Sequence, residues 1–126
     1  MKGPRRKPTD AELAILRVLW TRGPSTVRQV AEVMDRESGY TTVLKLLQIM
    51  TEKRLVVRDE SARTHIYQAA YTQQQTERQL VTDLLDRVFG GSAAKLVLQA
   101  LASNKASPEE LDEIKKLIAT KSGGSR

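Results

Sequence analysis

Cysteine is absent from all 126 residues. That rules out disulfides and every thiolate-held metal, and it fits a reducing, cytoplasmic setting. A single histidine, His65, leaves no set of imidazole ligands for a metal and little material for general-base chemistry. Aromatic residues are equally scarce: one Trp, three Tyr and one Phe are too few for the stacking platforms that hold single-stranded nucleic acid. No run approaches the ~18 apolar residues of a membrane-spanning helix. The basic opening, Met1 to Asp10, is not followed by the apolar stretch of a secretory signal. Gly90-Gly91 follows a helical pattern, not a strand, so it does not read as a phosphate loop. Serines such as Ser25 and Ser38 lack a base partner for nucleophilic catalysis. No enzyme, cofactor or metal is expected from such a chain.

What is present describes an ordinary folded protein, with 40% hydrophobic and 29% charged residues in a length suited to one domain with an appendage. The net charge of +6 is uneven. Residues 1–71 carry 13 Lys+Arg against 8 Asp+Glu, net +5, whereas residues 72–126 carry 8 against 7, net +1. The first part is therefore expected to meet a polyanion and the second to do something else.

Helix signals dominate the pattern. Thr9 and Glu12 have capping-box spacing, and Leu13, Ile15, Leu16, Val18, Leu19 and Trp20 then fill a broad apolar arc that Gly23-Pro24 ends. Thr26 and Gln29 repeat the box before a short helix with Val27, Val30 and Met34 on one face. A third helix runs from Tyr40 or Thr41 to Lys53, with Val43, Leu46, Leu47 and Met50 on one face and Thr41, Lys45, Gln48 and Glu52 on the other. Leu55–Arg58 and Thr64–Gln68 read as two strands around a polar loop, Asp59–Arg63. Three helices and a hairpin, in that order, make a winged helix-turn-helix domain.

Beyond it the pattern is helical throughout. Thr72 and Gln75 open a helix bearing Leu80, Val81, Leu84, Leu85, Val88 and Phe89. Gly90-Gly91 breaks it, Ser92 caps a second, and Ser107-Pro108-Glu109-Glu110 opens a third. The expected fold is mainly α with a small β-hairpin. Its parts are a flexible basic arm (1–8), a winged-helix DNA-binding domain (9–71), a three-helix dimerisation region (72–120) and a disordered tail (121–126).

For double-stranded DNA the candidate contacts are Tyr40, Thr41, Thr42, Lys45 and Gln48 at the start and along the polar face of the third helix. Short polar residues and a lysine there suit base edges and phosphates. Arg63 and Arg58 flank the hairpin loop, and Arg5-Arg6 lie in the arm; both pairs suit phosphates or a minor groove. The acidic Asp59-Glu60 makes Arg63 the better contact. Regular alternation would set His65 on one strand face with Tyr67 and Ala69, as a structural or merely exposed residue.

Three short helices cannot enclose all their own apolar residues, so a second copy is expected to cover them as a homodimer. The candidate interface takes Leu80, Leu84, Leu85, Val88 and Phe89 from the first of these helices, Leu96, Leu98 and Leu101 from the second, and Leu111, Ile114 and Leu117 from the third.

The segment Gly39-Tyr40-Thr41-Thr42-Val43-Leu44-Lys45-Leu46-Leu47 resembles the recognition helix of the penicillinase-repressor family, the BlaI/MecI-type winged-helix repressors. The likeness continues through Glu52-Lys53-Arg54-Leu55-Val56, takes in Thr9 to Trp20, and returns at Phe89-Gly90-Gly91-Ser92 and Leu96-Val97-Leu98. It implies a homodimeric transcriptional repressor on palindromic operators of the TACA/TGTA type. It also implies target genes such as those for β-lactam resistance, and a membrane sensor protease encoded nearby. The family's cleaved Asn-Phe bond aligns with Gln99-Ala100 here. The family's copper-responsive branch has C-terminal cysteines that this chain lacks. Two other readings of the residues stand beside the repressor: a winged-helix regulator released by a small ligand, as in MarR-like proteins, and a winged-helix module for protein–protein assembly.

Overall fold

A computed structural model describes residues 7–34 and 39–124. Among them are α1 (Asp10–Arg22), α2 (Val27–Val33), α3 (Tyr40–Glu52), β1 (Val56–Asp59), β2 (Ile66–Ala69), α4 (Gln73–Val88), α5 (Ala93–Ser103) and α6 (Pro108–Gly124). The fold is mainly helical with one antiparallel hairpin, in the winged helix-turn-helix order that the pattern predicts. Arg5 and Arg6 of the expected arm lie outside the described residues.

Local chemistry starts the helices. The Thr9 hydroxyl accepts the Glu12 N–H at 3.2 Å while Glu12 accepts the Thr9 N–H at 2.9 Å. The same reciprocal pair recurs at Thr26/Gln29, Thr72/Gln75 and Ser107/Glu110. Each box satisfies two amides that the helix itself leaves open.

The chain forms two compact units that divide between Thr82 and Asp83, inside α4. The first unit has a closed core. Ile15, Leu16 and Leu19 of α1 meet Val27 and Val30 of α2, Val43, Leu47 and Met50 of α3, and Leu55, Val56 and Tyr67 of the hairpin. In the hairpin Val56 stands opposite Ala69 and Arg58 opposite Tyr67.

Each strand begins one or two residues later than the pattern suggests. The Leu55 N–H donates to the Met50 carbonyl at 2.9 Å and so belongs to the turn that closes α3. Thr64 and His65 are exposed and precede β2, which starts only at Ile66, so the strand face of Tyr67 and Ala69 does not include His65. Ser25 adds a one-residue third strand: its N–H and carbonyl exchange bonds with Tyr67 at 2.9 and 2.8 Å.

The turn after α3 uses Arg54 in a left-handed conformation, φ 65°. The Arg54 N–H donates to Thr51 and the Leu55 N–H to Met50, the paired bonds of a Schellman end in which glycine is usual. A buried ion pair braces α3 near this turn. The Lys53 ammonium donates to Glu12 Oε1 at 2.6 Å, and Glu12 is only 2% exposed.

The second unit holds the end of α4, α5 and α6. Gly90 and Gly91, at φ 57° and 83°, make the break between α4 and α5, a conformation that side chains resist. No residue of this unit is buried among those described. The helix α6 reaches Gly124, so residues 121–124 are helical where composition suggests disorder. Extending an existing helix needs no new nucleus, and small polar residues are carried along.

Candidate nucleic-acid interface

The apolar face of α3 is consumed by the core, which turns its polar face outward. Thr41, Thr42, Lys45 and Gln48 are all exposed, as is Tyr40 at 48%. Gly39 precedes the helix without a side-chain cap, so the first-turn amides are not satisfied in the way the capping boxes satisfy the others. Such amides favour anions.

Tyr40 also faces a groove of about 500 Å³ between the start of α2, the start of α3 and the hairpin. Its walls include Thr26 and Arg28 from α2 and its cap, Tyr40 and Leu44 from α3, and Arg63, Thr64 and His65 from the hairpin loop. Two arginines and a histidine thus line it, with no carboxylate among the lining residues. Arg28 stacks over the Tyr40 ring, its guanidinium carbon 5.7 Å from the ring centre. The contact costs the arginine none of its charge and restrains a flexible side chain.

Arg28 was not among the residues that the pattern points to. On α2 it reads as a solvated helix position, and only the folded contact with Tyr40 brings it to the groove.

The two hairpin arginines differ in their surroundings. Arg63 is exposed and lines the groove. Arg58 is half-buried, and its Nε lies 2.6 Å from a Glu60 carboxylate oxygen. The Tyr67 side chain, and then Glu60, raise the Arg58 pKa above its ordinary value. Arg58 thus already has an anionic partner within the wing, whereas Arg63 is placed to find one outside. Asp59 is occupied too: it accepts the Ser61 N–H at 2.9 Å, which holds its carboxyl below the usual value.

The candidate interface residues of the C-terminal helices are half-buried or exposed. Leu80, Leu85, Phe89, Leu96 and Ile114 are half-buried, and Leu84, Val88, Leu98, Leu101, Leu111 and Leu117 are exposed. Leu98 is 67% exposed. Gln99 and Ala100 are both exposed on α5.

The penicillinase repressor family model matches residues 8–120. The chain is 29% identical over 118 residues to the transcriptional regulator BlaI of Mycobacterium tuberculosis, covering 91% of this chain and 85% of that protein. It is 20% identical over 112 residues to the penicillinase repressor of Bacillus licheniformis, covering 87% and 88%. Among solved structures it is similar to a variant of Lactococcus lactis ZitR at 18% identity and a TM-score of 0.47, covering all of this chain and 81% of that one. No helix among the described residues is long and apolar enough to cross a membrane. With a family match spanning nearly the whole chain, this protein belongs to the penicillinase-repressor family and is a transcriptional repressor, not an enzyme.

Proposed function

We propose that the protein acts as a cytoplasmic homodimer on a palindromic operator, with the polar face of α3 in the major groove and the basic groove beside it holding the sugar–phosphate backbone. The observation that carries this reading is the convergence of Arg28, Tyr40 and Arg63 around one groove at the exposed start of α3. Thr41, Thr42, Lys45 and Gln48 then read bases or fix the register, while Arg28 and Arg63 neutralise phosphates on either side. The uncovered leucines of α4, α5 and α6 support a second copy as their cover. Two heads on one dimer match two half-sites of a palindrome.

Footprinting on the DNA upstream of the protein's own gene tests the reading. Protection of an inverted repeat, with affinity falling steeply as salt rises, is the expected result. Affinity that ignores both sequence and salt would remove it and favour an assembly module.

Family membership supports target genes for β-lactam resistance and a sensor protease that ends repression. Gln99-Ala100 lies on an exposed stretch of α5, and a cut there would separate the basic first unit from α6. Mass spectrometry of the protein from induced cells is expected to show a fragment ending within Leu96–Ser103. Intact protein together with derepressed targets would assign release to a ligand or partner.

A further inference from the structure

Only Ala70, Tyr71 and Thr72 separate β2 from α4, and each of them is tied down. The Ala70 N–H donates to the Leu55 carbonyl at 2.9 Å. Thr72 and Gln75 form the capping box that starts α4. The carbonyl between them in sequence, that of Tyr71, accepts the indole Nε1–H of Trp20 at 2.9 Å from 51 residues away. One turn into α4, Thr76 is buried. All of these residues belong to the first unit.

The first of these ties is made by backbone alone and the second is local to α4. Only the indole bond is made by a side chain from another element, near the end of α1. It sits beside an open groove of about 500 Å³ whose walls include Trp20, Gln68, Ala70, Tyr71 and Gln73. Water therefore has access to the Tyr71 carbonyl if the indole is withdrawn, and the loss does not strand a buried acceptor. What is lost is the fixation of the peptide that leads into α4.

We propose that Trp20 is a positioning residue for operator binding: its indole N–H pins the start of α4 to the winged unit and so stiffens the tether through which two DNA-binding heads act together. This rests on the dimeric operator reading above. Two linked heads gain over one through effective concentration, which depends on how closely the tether is held to the required span. A three-residue junction with every residue bonded has little freedom to lose on binding. Releasing Tyr71 restores rotation at the one place where the chain leaves the hairpin for α4. The base-reading and phosphate-facing residues are on other elements, so each single head keeps its own affinity.

The test uses the full chain, whose single tryptophan gives one indole N–H resonance. That proton is expected to exchange with solvent more slowly than in free tryptophan. Trp20→Phe keeps an aromatic ring and removes the donor. The probes are the footprinted promoter duplex and the same duplex with one arm of the repeat scrambled. Affinity for the two-arm duplex should fall about three- to tenfold, the scale of one lost hydrogen bond. One-arm affinity and the sedimenting species should be unchanged, while amide exchange across Thr72–Thr76 rises.

Equal losses on both duplexes would make Trp20 a merely structural residue and overturn the proposal. Unchanged affinity on both, or an indole proton as labile as that of the free amino acid, would do the same. Wild-type protein that binds neither duplex would overturn the operator reading and this role with it. The exchange data would then still show whether the anchor exists, so the two failures are distinguishable.

Discussion

Among the described residues the first unit encloses eleven apolar side chains, from Ile15 to Tyr67, while the second buries none, although its helices α5 and α6 also begin at side-chain caps. Capping is a local event: Ser107 completes the same reciprocal box with Glu110 that Thr9 and Thr26 make, and Ser92 accepts the Lys95 N–H at 3.2 Å. Burial requires surfaces that face one another, and α1, α2, α3 and the hairpin provide them within one chain. The end of α4 with α5 and α6 does not, and leaves Val88, Leu98, Leu117 and Ile118 more than half exposed. A helix can therefore be fully specified by its own residues while its apolar face is specified for another molecule.

The sharpest way to break that contrast is to put a charge on the open surface. Leu98→Asp or Leu84→Asp should convert a sedimenting dimer to monomer, because an unpaired carboxylate is costly to bury. Operator affinity should then fall about a hundredfold or more through loss of the second head. A dimer that survives both changes would place the interface elsewhere.

The complementary change is Leu47→Ala in the closed core, at a residue with no exposure. It should cost about 2–5 kcal/mol, and the cost should not depend on protein concentration. Leu98→Ala should instead carry a cost that shrinks as the protein is diluted and the contribution of the dimer is lost. Thermal melts over a range of concentrations separate the two cases.

Within the first unit, Lys45→Ala, Thr41→Ala, Thr42→Ala and Arg28→Ala should leave the circular dichroism spectrum and the dimer intact. Operator affinity should fall by about 1–3 kcal/mol for the variants that lose a base contact, whereas Arg28→Ala should mainly flatten the dependence on salt. Titration of each variant at several salt concentrations gives both quantities.

The smallest expected effect is a gain. Arg54→Gly relieves a left-handed non-glycine residue at the end of α3 and should stabilise the fold by up to about 1 kcal/mol, read from denaturant midpoints.

Much of this architecture was legible because its determinants lie within four residues of one another. The boxes at Thr9, Thr26, Thr72 and Ser107 announce themselves in sequence, and so do the polar face of α3 and the Gly90-Gly91 break. The contacts that were not legible join residues far apart: Ser25 with Tyr67, Glu12 with Lys53, and Trp20 with Tyr71. Nothing in the spacing of Glu12 from Thr9 shows that its carboxylate also serves a lysine at the end of α3. The site followed the same rule. Residues on one face of α3 were readable from period alone, whereas Arg28 needed the fold to bring it over Tyr40. The end of α3 falls where the pattern sets it, but β1 starts one residue late for a different reason, since Arg54 takes a conformation for which its residue type gives no signal.

The one-residue strand at Ser25 has a consequence for how the protein avoids its own kind. A four-residue strand such as β2 offers its free edge as a template for a stranger's backbone. By exchanging both bonds with Tyr67, Ser25 occupies the middle of that edge, and its hydroxyl is folded back onto the Gly23 carbonyl at 2.8 Å. An invading strand would have to displace a residue with no solvent exposure before it could pair in register along β2. A single serine thus closes the outer side of β2 to edge-to-edge aggregation while the loop ahead of it, from Glu60 to His65, stays open to solvent.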